Sequence, residues 1–442
     1  MHNTNLDSKR WFIAIMGTCF QICLGTFYAW SFFQKPFSSA FGWSQSLTAW
    51  TFCLTVAAIG IFGAIGGIIL PKVGPRKLAV SGGILFGLGY ITGALALKYQ
   101  SAYLLFLTYG IIGGCGLGMG YVTPVATVAK WFPDKKGLAT GMVVMGFGFG
   151  ALFMSKIFAP MLFNYFGWET AIAAADIAAQ QSILVNVFLA LGVIFLILTI
   201  PIGSMIQNPP ENYIPAGYTP ITADTASFAD SLIAKESILS GRFLVMWLIF
   251  FFNIIAGLAI IGFQSPLFQD IWAKWANLDM GMAENKLMLA AYGGTLIAIT
   301  SIFNGVGRIF WGGFSDKIGR IQTFRIMLGT QALACIVIAH VGNPWMFAII
   351  LCYVLFCYGG GFGTMPSFVV DVFGAKVSAA VYGAILTAWG VAGFIGPQII
   401  AFFTDNIPHK SAYWSFIFSA CVLTVGFLIS CLSSNKPFEK KS

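Results

Sequence analysis

Charge is what this chain has least of. Only 9% of its 442 residues are Asp, Glu, Lys or Arg, where ordinary soluble domains carry about 25%, so a soluble fold is excluded. Histidine is scarcer still. His2 and His409 fall in polar ends or loops and His340 near the end of an apolar run, which leaves no His constellation for a metal or for acid–base chemistry. The acids avoid the middles of the apolar runs too: Asp270, Asp371 and Asp405 all lie near run ends. A membrane enzyme needs His, Asp, Glu or Ser clustered at depth. The sequence holds no convincing cluster of that kind, and the chain reads as a protein that is not an enzyme.

Paired cysteine spacing is missing as well. The nine Cys all sit within apolar runs without the pattern of a disulfide framework, and buried packing is the reading adopted for them. Cys19 and Cys23 share a helical face, but a soft-metal site there is outweighed by packing. The Gly runs GIIGGCGLGMG and YGGGFG lack the flanking strand and the Gly-Lys-Ser/Thr ending of a phosphate cradle. Helices that approach closely and slide explain them better. No cofactor is expected.

Hydrophobic length is what the chain has in abundance. Its 58% of hydrophobic residues arrive in twelve runs of roughly 20 residues or more, enough for a helix to cross a bilayer. The expected spans are Phe12 to Phe33, Leu47 to Leu70, Leu78 to Leu97, Ala102 to Ala129, Gly137 to Phe163 and Ile183 to Ile206. A second set runs Phe243 to Phe268, Leu287 to Gly313, Thr323 to Val341, Trp345 to Val370, Val377 to Phe403 and Ala412 to Leu432. The first run is too long for a signal peptide and reads as the first span. The net charge of +9 would suggest nucleic acid in a soluble protein. Here the basic residues gather at both ends and in the even-numbered loops, at Lys72, Arg76 and Lys77, Lys130, Lys135 and Lys136, and Lys317, Arg320 and Arg325. That bias predicts cytoplasmic termini and a lipid bilayer, not nucleic acid, as the surroundings.

The long polar connection NPPENYIPAGYTPITADTASFADSLIAKES divides six spans from six. The predicted organisation is a six-helix bundle over 1–206, a cytoplasmic linker over 207–241 and a second bundle over 242–442. The halves echo each other: GIILPKVGPRK (Gly67 to Lys77) between spans two and three matches GGFSDKIGRIQ (Gly312 to Gln322) between spans eight and nine, and Pro124 to Gly150 matches Pro366 to Gly393. Two similar halves about an axis along the membrane normal suit a protein that rocks around a central site.

One residue violates the hydropathy. Arg308 lies in span eight about eight residues before the cluster Asp316, Lys317, Arg320, roughly 12 Å deep if the cluster marks the helix end. A charge at that depth costs from a few to more than ten kcal/mol and normally faces a cavity or a partner. The planar guanidinium can hold a carboxylate by two parallel hydrogen bonds and stays charged at any accessible pH. The reading adopted is that Arg308 grips a substrate carboxylate; the rival is that it snorkels or pairs structurally near the loop. Asn304, one turn earlier, shares its face.

On the repeated loops the chain resembles the major facilitator superfamily over nearly all its length. The loop signature is intact as Gly312, Asp316, Lys317, Gly319 and Arg320; in the first half Gly67, Lys72, Gly74, Arg76 and Lys77 match, while Pro71 stands where the family has Asp. GYVTPVATVAKWFPDKKGLATGMVVMGFGFGA, NPPENYIP and FNGVGRIFWGGFSDKIGR narrow the likeness to the oxalate/formate antiporter family of bacterial carriers, related to monocarboxylate transporters. The resemblance implies an all-α polytopic membrane protein, twelve transmembrane helices in two pseudo-symmetric six-helix bundles. It further implies a monomer in a bacterial inner membrane, carrying a small carboxylate anion by alternating access.

The resemblance also assigns roles. It places an arginine that binds substrate at Arg308 and cavity tyrosines at Tyr28 and Tyr121; Tyr358 and Trp389 are further aromatic candidates added to these on their own account. Where related animal carriers have an acid that couples protons, this chain has Asn304, which cannot titrate, so proton symport and anion exchange stay open. Where the oxalate carrier has a second cation, Trp389 stands. One cation suits a monocarboxylate such as lactate, pyruvate or formate. Lys156, about six residues before the outer end of its span, is read as snorkelling outward; the alternative function is oxalate/formate exchange, with Lys156 in the cavity or outer gate taking the second charge.

Overall fold

A backbone in hydrocarbon must satisfy its own polar groups, so apolar runs of this length have to be helical. The computed structural model describes residues 4–211, 213–215, 234–374 and 377–433, so most of the long polar connection, and His2, lie outside the described residues. Among the described residues are twelve helices long and apolar enough to cross a membrane: α1 Leu6–Phe41, α2 Gln45–Val73, α3 Pro75–Lys98, α4 Ala102–Trp131, α5 Leu138–Tyr165, α6 Ile177–Met205, α7 Gly241–Trp275, α8 Ala283–Ile318, α9 Arg320–Ala339, α10 Pro344–Phe373, α11 Ala380–Asn406 and α12 Pro408–Ser430. Most run past the ends expected from hydropathy, because a helix continues through the interfacial layer where polar side chains are tolerated. Twelve alternating crossings put the start of α1 and the end of α12 on one face, called here the terminal face.

The repeat seen in the sequence is visible in the backbone. The two loop-signature glycines, Gly74 between α2 and α3 and Gly319 between α8 and α9, adopt almost the same conformation, φ 85° and ψ 154° against φ 91° and ψ 147°. Positive φ is strained for any residue with a Cβ, which accounts for glycine at both. Beyond the second glycine, Arg320 binds Asp371 of α10 at 2.9 Å and also pairs with Asp316. Its first-half counterpart is built differently: Pro71, Lys72 and Arg76 are exposed. Within each half one outer pair packs extensively, α3 with α6 and α9 with α12.

The first six helices meet the last six along two antiparallel seams. In one, α2 runs against α11, from Ser46 beside Gln398 and Asp405 through Gly60 against Gly390 to Ala64 beside Gly383. In the other, α5 runs against α8, from Lys156 on Thr295 through Gly148 on Ser301 and Gly305 to Gly141 beside Ile309. Exchanging the halves turns one seam into the other. At the face opposite the termini polar contacts join the halves: the Asp405 carboxylate accepts the Ser46 N–H at 3.0 Å at the end of the α2–α11 seam, and, outside both seams, Lys35 of α1 binds Asp270 of α7 at 2.6 Å.

Lipid and protein core are both apolar, so the cysteines do not sort as expected. Seven are buried or half-buried, but Cys421 is exposed on α12 and Cys431 just past its end. The assumption that every apolar-run Cys is packed inside fails because the outer faces of these helices are themselves apolar.

Candidate anion site

Arg308 sits on the face of α8 that meets α5, and only 1% of it is exposed. Its Nε donates to Asn304 Oδ1 at 3.3 Å, one helical turn back, and its Nη1 donates to the main-chain carbonyl of Val144 on α5 at 3.1 Å. The Phe362 ring lies 4.8 Å and the Phe147 ring 5.8 Å from the guanidinium carbon. Nη2 is buried without a hydrogen-bond partner. Among the described residues Arg308 forms no ion pair, so a full positive charge is enclosed among neutral groups, bonded to an amide and a carbonyl and flanked by two aromatic rings.

Local breaks in the helices present the surrounding groups. A tight 3-10 turn, Thr26–Ala29, interrupts α1 and carries Tyr28. Its hydroxyl meets that of Tyr358, on α10, at 2.7 Å, a bond across the two halves. Tyr358 and Phe362 reach the centre because α10 lies directly on α8, where a Cβ at Gly359 or Gly363 would collide with the backbone of Asn304 or Arg308. Close helix packing is thus what the YGGGFG run provides. An interruption of α11 at Leu386 separates Tyr382 from Trp389.

Three donors besides Nη2 are buried here without a partner: the hydroxyls of Tyr121 and Tyr382 and the indole Nε1 of Trp389. The Tyr121 hydroxyl faces both the guanidinium and the Tyr382 hydroxyl without reaching hydrogen-bond geometry to either, and its ring packs on Trp389 and Phe147 at 5.3 and 5.0 Å. Trp389 in turn packs on Phe362 at 5.0 Å. Leaving a buried donor unpaired costs about 1–3 kcal/mol, and native interiors hold few of them. Three unpaired donors around a cation that holds a fourth of its own could each be satisfied by the oxygens of a small anion.

Tyr28, Tyr121, Asn304, Arg308, Tyr358 and Trp389 therefore come together. Lys156 does not join them. It lies twelve residues beyond Val144 along α5, roughly 18 Å at the helical rise, where it is exposed and donates to Thr295 at 2.6 Å. The cavity role considered for it is replaced by a contact at the seam's far end. The sequence reading passed over Tyr382, Phe147 and Phe362. The first opens the same YGAILTAWG stretch that contains Trp389 and the second lies in the repeated Gly-rich segment, but nothing local separates them from the other aromatics.

A family model described as Major Facilitator Superfamily matches residues 14–397. Among curated proteins, the chain is 26% identical over 415 residues to "Oxalate:formate antiporter" of Oxalobacter formigenes, covering 93% of this chain and 89% of that one. It is 27% identical over 436 residues to "Apicoplast pyruvate carrier 1" of Toxoplasma gondii, covering 89% and 76%. Among solved structures, a D-xylose-proton symporter superposes with a TM-score of 0.68 at 16% identity over 95% of this chain and 96% of that one.

Proposed function

The chain belongs to the Major Facilitator Superfamily, and on that premise we propose that it is a secondary active transporter of small monocarboxylate anions, of the lactate, pyruvate and formate class. The carrying observation is Arg308: a guanidinium enclosed between the halves, with Nη2 free and, among the described residues, no ion-pair partner. An anion supplies the missing charge, and the Tyr121 and Tyr382 hydroxyls and Trp389 Nε1 supply hydrogen bonds to its oxygens. Tyr28, Tyr358 and Asn304 order the walls. One fixed cation matches one carboxylate, since a second would be desolvated without a partner.

Transport follows from placing the site between halves that meet along two seams. The bundles 1–206 and 242–442, joined by a cytoplasmic linker, rock about the anion so that it faces each side in turn. The chain works as a monomer in a bacterial inner membrane with both termini cytoplasmic, as the basic loops favour. Asn304 cannot carry a proton, which favours anion exchange over proton symport. Oxalate/formate exchange is the second reading, supported by the relative of that name; Lys156, remote from Arg308, is no help to it.

The test is uptake of labelled formate, lactate, pyruvate and oxalate into proteoliposomes, with and without internal counter-anion and an imposed pH gradient. A monocarboxylate accumulating against internal anion, and lost in Arg308→Gln, is the expected result. Uptake that Arg308→Gln leaves at the wild-type level removes the basis of the reading.

A further inference from the structure

On α8, Ser301, Gly305 and Arg308 follow each other at four and three residues and share one face, and all three meet α5 of the other half. The Ser301 hydroxyl donates to the Gly148 carbonyl at 2.6 Å and accepts the Leu152 N–H at 3.1 Å. Those two groups, four residues apart, are the partners of a single helical turn of α5. One turn nearer the terminal face, Arg308 Nη1 takes the Val144 carbonyl. Between them a Cβ on Gly148 would come within 2.7 Å of Gly305 Cα and 3.4 Å of Arg308 Nε, so no side chain cushions the crossing.

One hydrogen bond lets two helices pivot about it. Two bonds from a single hydroxyl to both partners of one turn fix height and rotation together. We propose that Ser301 is a positioning residue for Arg308: its hydroxyl sets the register of α8 on α5, and so holds Nη1 on Val144 and leaves Nη2 for the anion. This rests on Arg308 being the anion's partner. Ser301 lies about 10 Å along the helix from Arg308 and acts through the seam. Removing its hydroxyl orphans nothing, because Gly148 C=O and Leu152 N–H still have each other. A residue that only packed would therefore change stability without changing affinity.

The experiment uses full-length purified protein and equilibrium binding of radiolabelled formate, lactate, pyruvate and oxalate, with thermal unfolding alongside. Ser301→Ala is expected to weaken binding about fivefold or more while its melting temperature stays within about 2 °C of wild type, and Ser301→Thr, which keeps the hydroxyl, to bind within about twofold of wild type. Ser301→Cys, which weakens both bonds, carries the alanine expectation should the alanine protein fold poorly. Wild-type affinity in Ser301→Ala, or a threonine variant no better than the alanine one, overturns the positioning role. Arg308→Gln separates the two claims. If it loses binding while Ser301→Ala keeps it, only the role of Ser301 fails; if Arg308→Gln binds as wild type does, the anion reading fails and Ser301 with it.

Discussion

Arg308 of the eighth helix donates to the main-chain carbonyl of Val144 on the fifth, 3.1 Å away across the boundary between the two halves. The bond joins the most expensive side chain in the membrane to a backbone atom whose residue type is irrelevant to the contact. It leaves the guanidinium half used: Nε and Nη1 are bound within the protein and Nη2 is not. A cation held through two of its nitrogens, with the third free, is fixed in orientation while keeping donors for a ligand.

Arg308→Lys is accordingly predicted not to be conservative. An ammonium keeps the charge but not the planar fork, so it cannot hold the Asn304 amide, the Val144 carbonyl and a carboxylate in the same geometry. Anion affinity should fall at least about tenfold, equivalent to roughly 1.4 kcal/mol; Arg308→Gln should abolish binding. Equilibrium binding of both variants checks this, and near-wild-type affinity in the lysine protein would count against a forked grip.

Stability and function should move in opposite directions at the unpaired donors. Trp389→Phe and Tyr121→Phe each remove a buried donor that has no partner in the protein and keep an aromatic ring against its neighbours. Removing such a group relieves a desolvation penalty of about 1–3 kcal/mol, so thermal stability measured without anion should hold or rise. Affinity should fall by about two- to tenfold, the range of one hydrogen bond. A drop in both quantities would instead mark these groups as parts of the protein's own network.

What the sequence disclosed about this site was its exception. One arginine among Leu, Ile, Phe and Gly is legible because hydropathy prices charge, and twelve spans are legible for the same reason. Which way the aromatics face is not, because helices bounded by lipid on one side and protein on the other are apolar all round and carry no polar stripe to set their rotation. Tyr382 and Phe147 were passed over on that account, and Lys156, a charge like Arg308, turned out to lie on an exposed face. Val144 was invisible in principle, since it contributes only a carbonyl. The repeated loop did transmit backbone detail: its two glycines occupy matching left-handed conformations.

The crossing of α5 and α8 gives a third prediction. At Gly148 an added methyl meets the backbone of Gly305 at 2.7 Å, and backbone cannot swing aside as a side chain can. Gly148→Ala should part the helices and destabilise the protein by about 1–3 kcal/mol, the usual cost of overpacking. It should also impair binding by shifting Arg308, whose Nε lies 3.4 Å from the new atom. Gly141→Ala is the control: on the same helix, its added methyl would meet Ile309 at 4.0 Å, ordinary contact. Helix propensity favours alanine at both positions, so equal losses in the two variants would show that the crossing at Gly148 is not what the added methyl disturbs.

The last prediction concerns the face opposite the termini. There Lys35 binds Asp270, and Asp405 accepts the N–H of Ser46 at the start of α2, each joining one half to the other. Both carboxylates are partly exposed, and exposed ion pairs contribute only about 0–1 kcal/mol to folding. Lys35→Ala and Asp405→Asn should therefore unfold at nearly the wild-type temperature. A carrier balanced between conformations is shifted by the same small energies, so opening of this face should become more frequent. A reporter is built in: Cys53 is fully buried on α2 beside Gln398 of the seam. Peptide-resolved mass spectrometry of its labelling by a membrane-impermeant maleimide should show about threefold or greater acceleration in both variants, corresponding to roughly 0.7 kcal/mol. High salt should narrow the difference for Lys35→Ala by screening the wild-type pair. Unchanged labelling in both variants would mean that the seams themselves, not these polar contacts, keep this face closed.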